Sequence, residues 1–296
     1  MPPDLSYGLE LFVSGLLVGV LYAMVALGFV LIYKASDVFN FAQGAMTFFA
    51  ALALVSVVPR LGWPLGLLFV VALMGVLAIA IERLALRPLA GRPPLALAMS
   101  TLGVTFAVGG IAQALWGTEP KRLSLGITPE PIQAAGILIN RVDLFAAGAV
   151  AVIVAALVWF FQRTRLGLGL RAVADDHEAA MSVGIDIRRV WVVAWMLSGL
   201  VAIVAGILWG NRIGVGFAVS LIAFKALPVL IIGGIDSIPG AIVGGLIVGA
   251  TESLAEGFIG PLVGGGVQEI FPYLVALVFL MVRPYGLFGR PIIERV

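Results

Sequence analysis

Apolar residues along this chain gather into nine blocks: Leu9–Tyr33, Ala45–Val58, Leu65–Ile81, Leu95–Trp116, Leu144–Phe161, Trp191–Gly210, Phe217–Gly234, Pro239 to about Leu254, and Ile270–Val282. Polar, proline-rich or glycine-rich connections separate them. A helix needs about 20 apolar residues to cross a bilayer, so the longer blocks predict crossings. The shorter ones, 45–58 and 239–254, leave a re-entrant or tilted path open. The pattern therefore predicts an all-α polytopic transmembrane helix bundle of about 8–9 spans, with short or re-entrant segments. Residues 1–296 are expected to form a single transmembrane domain.

The first block follows Asp4 and carries Glu10, with no basic residue ahead of it. A signal peptide has a basic start and a shorter apolar centre, so this block is expected to be a retained span. Pro59, Gly62 and Pro64 break the second block from the third. Residues 117–143 make the longest mildly polar connection and are expected to face outward. The other prominent connection, 162–190, reads QRTRLGLGLRAVADDHEAAMSVGIDIRRV. Its composition predicts a short amphipathic helix from Arg171 to Ser182, stopped by Gly184.

Charge sets the orientation. With nine alternating spans, the side that carries 162–190 holds twelve Lys and Arg residues, while the other holds Arg60, Lys121, Arg122, Arg141 and Arg212. Basic residues mark cytoplasmic loops. The expected arrangement is an outside amino terminus, a cytoplasmic carboxyl terminus and a cytoplasmic 162–190 loop.

Composition agrees. The 296 residues are 61% hydrophobic and 11% charged, with mean hydropathy +1.14, too apolar for an ordinary soluble core. The absence of cysteine excludes disulfides and thiolate metal sites, and a single histidine, His177, excludes a nitrogen-rich metal cluster. The basic residues are spread over short loops, a signature of topology and not of nucleic-acid binding. No Gly-rich loop ends in Lys-Ser or Lys-Thr, and neither a His-Glu-x-x-His pair nor a Gly-x-Ser-x-Gly turn occurs. ATP binding of the Walker type and these hydrolytic chemistries are not expected in this chain.

Polar residues inside apolar blocks are the remaining candidates, because a charge at mid-bilayer costs at least roughly 2.5–3.5 kcal/mol. Lys225 has three readings: lining a polar path, pairing with an acid such as Glu252, or reaching to the interface. Glu252 is either a path residue or a structural hydrogen-bonding group. Asn40, Gln43, Ser100, Thr101 and Gln113 suit interhelical hydrogen bonds or a solute path. Gly233, Gly234, Gly240 and Gly244 have spacing for close helix packing. Asp236-Ser237-Ile238-Pro239 predicts a tight turn with a cap ahead of a helix-starting proline. Residues 26–32 and 226–232 echo one another, and each is followed by an interruption and then Gly-Ala, a pattern shared by chance apolar similarity and by transporter repeats.

Seven pieces in order resemble a known family: Tyr22-Ala23-Met24-Val25-Ala26-Leu27-Gly28 with Leu31-Ile32-Tyr33; Asn40-Phe41-Ala42-Gln43-Gly44; Glu82-Arg83 with Arg87-Pro88-Leu89; Ser100-Thr101-Leu102-Gly103; the loop from Arg171-Ala172 to Gly184-Ile185; Gly233 to Ala241; and Arg283 to Gly289. The chain resembles the permease of branched-chain amino acid ABC importers, the first of the two related permease subunits. The resemblance implies alternating access, with branched-chain or related amino acids delivered by an extracytoplasmic binding protein. It implies a second related permease subunit in a heterodimer, two ATPase subunits that use ATP and Mg, and a bacterial cytoplasmic membrane location. No cofactor is expected on this chain itself. Glu178-Ala179-Ala180 followed by Gly184 matches the start of the family's ATPase-coupling signature, which gives Arg171, Asp175, Asp176, Glu178, Ala179, Ala180 and Gly184 the role of transmitting force. Its later Ile-x-Leu-Pro part is missing, since positions 194–197 read Ala-Trp-Met-Leu. Position 43 is Gln where the family often has His. Asn40, Gln43, Thr101, Lys225 and Glu252 are the candidates for the translocation path. Outside this family, an ion-coupled secondary transporter and a non-transporting membrane scaffold stay open.

Overall fold

The computed structural model describes residues 5–89, 91–127, 130–134 and 137–289. Helices occupy all nine apolar blocks: α1 Leu5–Ser36, α2 Gln43–Ala80, α3 Pro94–Trp116, α4 Arg141–Arg163, α5 Arg165–Asp175, α6 His177–Ser182, α7 Ile187–Ile213, α8 Ala218–Gly233, α9 Ile238–Phe258, α10 Gly260–Val263 and α11 Val267–Val282. Six of the described helices are long and apolar enough to cross a membrane, while α8 and α11 are shorter. The 239–254 block is one of the six: as α9 it runs 21 residues, so it is not short. α2 holds two blocks in one 38-residue stretch, divided where Gly62 adopts φ 75° and ψ 170°. A Cβ on Gly66 would lie 3.5 Å from the Val58 Cα, whereas eight residues of straight helix advance about 12 Å. The chain therefore turns back at Gly62, and the two arms of α2 are separate helices.

One departure from an all-helical reading lies in the connection after α3. Strands β1 Pro131–Ala134 and β2 Ile137–Asn140 form an antiparallel hairpin with Ile132 opposite Ile139. It is a small addition, and the architecture is an all-α polytopic bundle.

The Cα framework forms two compact units: Met1–Ala26, Leu125–Ala151 and Phe224–Val296 make one, and Leu27–Ser124 with Val152–Ala223 make the other. In the first, the amino-terminal part of α1 packs on α9 through glycines. A Cβ on Gly15 would lie 2.8 Å from the Ala250 Cα, and one on Gly245 would lie 2.8 Å from the Ala23 Cβ. Small residues let helix backbones approach closely where lipid gives no hydrophobic drive. α8 and α9 form a hairpin whose turn behaves as its residues dictate: the Ser237 hydroxyl accepts from the Gly240 N–H at 3.1 Å, with Pro239 in the first helical turn. Past α11, Leu287 and Phe288 donate to the Ile232 and Gly233 carbonyls. The segment that follows α11 thus meets the carboxyl end of α8 at that turn. Gly234, at φ 103°, makes room for the Gly289 backbone at a distance no side chain would allow.

In the second unit the amino-terminal arm of α2 is buried almost continuously from Gln43 to Val55, packed on α7. Gly206 of α7 stands where a Cβ would meet the Thr47 carbonyl at 2.7 Å. The chain after α3 is fastened at one end of this unit. Lys121 and Val215 exchange backbone hydrogen bonds of 2.9 and 2.8 Å, the Lys121 ammonium donates to Ser56 Oγ at 2.8 Å, and Asn211 donates to the Leu123 carbonyl at 2.9 Å.

Candidate functional site

The 162–190 loop belongs to the second unit and folds into two helices where the sequence predicts one. Its first helix, α5, begins at Arg165, six residues before the expected start, with Thr164 capping it by accepting from the Gly167 N–H at 2.9 Å. Gly167 is required there, since a Cβ would lie 2.7 Å from the Phe161 Cα at the end of α4. Gly167, Leu170 and Val173 form the buried stripe of α5, and its remaining faces reach outward. The break comes at Asp176, whose backbone is extended at φ −159° and ψ 112° and whose carboxylate accepts from the Ala179 N–H at 3.0 Å. An aspartate that caps a new helix in this way stops the old one.

α6 ends as the sequence predicts. Gly184 takes φ 85°, its N–H donates to the Met181 carbonyl, and the Ile185 N–H donates to the Ala180 carbonyl at 3.0 Å, the left-handed stop that glycine permits. Asp186 then caps α7 by accepting from the Arg188 N–H at 3.1 Å. Asp175, Asp176, Ala179 and Gly184 are exposed, Ala180 is buried, and Arg171 is half-buried with its Nε enclosed and lacking a hydrogen-bond partner. His177 and Glu178 lie on α6, and their side chains fall outside the described residues. Leu166, Leu168, Met181 and Val183 stand more than half exposed beside these charges. A short helix with exposed apolar residues, held on a firm second helix and bounded by a glycine stop, is a shape that another protein can grip.

The candidate path residues separate into two buried clusters. In the second unit, Asn40, Gln43 and Thr101 gather around the interruption between α1 and α2. Asp37, at φ 51°, turns the chain out of α1, a conformation aspartate tolerates. Thr101 Oγ1 lies 3.1 Å from the Phe39 carbonyl and accepts from the Phe41 N–H at 3.0 Å, which pins the interruption to α3. Asn40 accepts from the Ala42 N–H at 3.0 Å and donates to Gln43 Oε1 at 3.3 Å. Ser198 of α7, which sequence reasoning missed, brings its hydroxyl within 2.6 Å of the same Gln43 oxygen and 3.1 Å of the Gly28 carbonyl. Gln43 Nε2 is buried without a partner.

In the first unit, Lys225 and Glu252 form a pair, one of the three readings open for Lys225. Lys225 Nζ lies 3.2 Å from Glu252 Oε1 and 2.9 Å from Glu269 Oε1. Tyr22 donates to the same Glu252 oxygen at 3.0 Å. The other carboxylate oxygen, Oε2, is buried and has no hydrogen-bond partner. Glu269 and Tyr22 were not foreseen. The signal for Glu269 was available: a lone acid on the first turn of an apolar helix, next to three glycines. The packing glycines also come together here. Gly233 and Gly240 sit backbone to backbone across the α8–α9 hairpin, and a Cβ on Gly244 would lie 3.0 Å from the Gly233 amide nitrogen. Among the described residues no group of three or more His, Cys, Asp or Glu side chains is arranged to hold a metal ion.

Similarity extends along the chain. BraD, a high-affinity branched-chain amino acid transport system permease protein of Pseudomonas aeruginosa, is 28% identical over 99% of this chain and 100% of its own. LivH of Escherichia coli K12, described in the same words, is 27% identical with both chains covered in full. A probable branched-chain amino acid transport permease protein of Methanocaldococcus jannaschii is 29% identical over 91% of this chain and 89% of its own. A solved chain of PsaBC from Streptococcus pneumoniae, in complex with Fab, aligns over 91% of this chain at TM-score 0.45 and 16% identity. The family model for the branched-chain amino acid transport system permease component matches residues 11–282, and the chain belongs to that family.

Proposed function

We propose that the chain is the membrane-spanning subunit of an ATP-driven importer of branched-chain or related amino acids, paired with a second, related permease subunit. ATP and Mg are used by two separate ATPase subunits, and an extracytoplasmic binding protein delivers the substrate. This chain binds no cofactor and hydrolyses nothing itself. The observation that carries the reading is the family match across 11–282, together with the charged 162–190 connection folded into the two helices α5 and α6.

The proposed mechanism is alternating access. The ATPase subunits grip α6, and their closure moves it. Because α5 is seated by Gly167, Leu170 and Val173, a pull on α6 is passed through Asp176 and α5 towards α4 and α7. Arg171, Asp175, Asp176, Glu178, Ala179, Ala180 and Gly184 then act as a force-transmitting surface. The two buried clusters, Asn40, Gln43 and Thr101 in one unit and Lys225 and Glu252 in the other, are the candidates for the path.

We place the chain in a bacterial cytoplasmic membrane, with its amino terminus outside and the α5–α6 loop and carboxyl terminus inside. The distribution of Lys and Arg supports this orientation. The meeting of residues 287–288 with the end of α8 keeps the two on one face, as this arrangement requires, and is the same for either orientation.

The test is co-purification with the ATPase encoded beside the gene, comparing the natural chain with Glu178→Arg combined with Gly184→Trp. The expected result is loss of the ATPase from a monodisperse variant. Equal retention by the variant, or no ATPase on the natural chain, would remove α6 as the docking element and bring an ion-coupled carrier forward.

A further inference from the structure

At the end of the first unit opposite the α8–α9 turn, α9 runs into a short strap. α10 closes on Gly264, and Gly264, Gly265 and Gly266 follow with φ of 91°, 89° and 81°, before α11 begins at Val267. Three consecutive left-handed residues are accessible to glycine alone without strain. Glycine also leaves the backbone least restrained, so this is the point about which the strap can swing.

Two carboxylates of α9, one turn apart, hold the far side of that pivot. Glu256 accepts from the Gly266 N–H at 3.2 Å and from the Gln268 N–H at 2.9 Å, giving α11 a cap that its own Gly266 lacks the side chain to supply. Glu252 acts through Lys225, whose ammonium is shared with Glu269 on the first turn of α11. The sharing is uneven. Glu252 is buried and anchored by Tyr22, whereas the Glu269 side chain is 62% exposed. Glu252 Oε2 is enclosed with no donor, so Lys225 has an unused acceptor beside it whenever Glu269 leaves.

We propose that residues 259–269 form a hinged flap, latched by Glu256 and by the Glu252–Lys225–Glu269 bridge, and opened when Lys225 gives up Glu269. Lys225 keeps its buried partner on opening, so the latch releases without stranding a charge in the apolar interior. That arrangement explains why one partly buried cation faces two acids. In the orientation proposed above this end faces outward, which places the flap where a delivering protein meets the permease. The latch itself does not depend on that orientation.

The chain has no cysteine, so spin labels report only where they are placed. Ile235→Cys and Leu262→Cys label two exposed positions, separated by about 30 Å, the length of α9 at 1.5 Å per residue. In the full chain, in nanodiscs at low salt, pulsed electron–electron distances are expected to be narrow, with any second population below about 10%. Adding Glu269→Gln, and separately Glu256→Gln, is expected to make the second population the larger one. If Glu269→Gln does not yield folded protein, the decision passes to the unsubstituted labelled chain in 1 M salt, where the half-exposed bridge is screened and the same broadening is expected. Three results overturn the proposal: a distribution already broad in the parent, one unchanged by Glu269→Gln, or a fall in stability without any change in distance. The last would make the bridge a purely structural ion pair.

Discussion

The two buried polar clusters solve the same problem with different chemistry. Around Gln43 every participant is neutral: two amides, two hydroxyls and the backbone of an interrupted helix. Around Glu252 one cation faces two acids and a phenol. The neutral cluster satisfies backbone groups released where α1 gives way to α2, so its side chains stand in for missing helical hydrogen bonds. The charged cluster instead joins α1, α8, α9 and α11 through bonds between side chains. A buried charge pair is weak evidence for stability in itself, although removing one partner is strongly destabilising. The difference teaches that the interruption at 37–42 is held by neutral groups standing in for backbone bonds, while the Lys225 bridge carries a desolvation cost that such groups do not.

The sharpest way to break the comparison is Lys225→Met. It leaves Glu252, 6% exposed, without its cation, and should destabilise the protein by about 3–5 kcal/mol, read as the unfolding midpoint in mild detergent. Glu252→Gln added to it should recover most of the loss. If the single change is mild, the site was never desolvated, and the contrast with the neutral cluster collapses.

Tyr22→Phe comes next. It removes one donor to the carboxylate and keeps the ring, and hydrogen bonds to charged groups are worth about 1.5–3 kcal/mol. The loss should vanish in a Glu252→Gln background if Tyr22 serves the charge, and persist there if the hydroxyl matters for packing.

Gly245→Ala asks whether the charged cluster depends on close helix approach. The new methyl would stand 2.8 Å from Ala23 Cβ and 3.0 Å from the Ala23 amide nitrogen, next to Tyr22, so α1 must move away from α9. Overpacking of this kind costs about 1–3 kcal/mol. Because Tyr22 moves with α1, adding Tyr22→Phe should cost less than it does alone.

What was legible in the sequence was local. Ser237 and Pro239 predict their turn because the cap is made within three residues, and Gly184 predicts its stop for the same reason. The nine apolar blocks became helices because each is long and apolar without any help from its neighbours. The Lys225–Glu252 pair was one of three readings open for Lys225, beside a polar path and a reach to the interface, and the sequence did not choose among them. Glu269 left only a weak signal, an acid at the start of an apolar helix, which solvent explains as readily as a partner 44 positions away. The early start of α5 was hidden by Gly167 and Gly169, which look like helix breakers. Gly167 is there because only a hydrogen fits against the end of α4. Ser198 was invisible for a plainer reason: a lone serine in an apolar helix ordinarily bonds its own backbone, and nothing nearby names Gln43 as its partner.

The smallest effect tests the neutral side. Thr101 Oγ1 accepts from the Phe41 N–H, and its one proton is shared between the Phe39 carbonyl at 3.1 Å and the Ala98 carbonyl of its own helix at 2.8 Å, so it ties α3 to the interruption. Thr101→Val keeps shape and loses these bonds, while Thr101→Ser keeps the bonds and loses a methyl. Hydrogen bonds between membrane helices average about 0.6 kcal/mol, up to about 1.7, so Val should destabilise by about 1 kcal/mol and Ser by less. The ordering carries the argument. If Ser is as damaging as Val, the methyl packing of Thr101 (0% exposed) holds the interruption in place, and the neutral cluster is a matter of shape. If Val alone is damaging, the hydroxyl replaces backbone bonds lost between α1 and α2, and adding Ser198→Ala should cost the same with or without it, because Ser198 bonds a different pair of atoms.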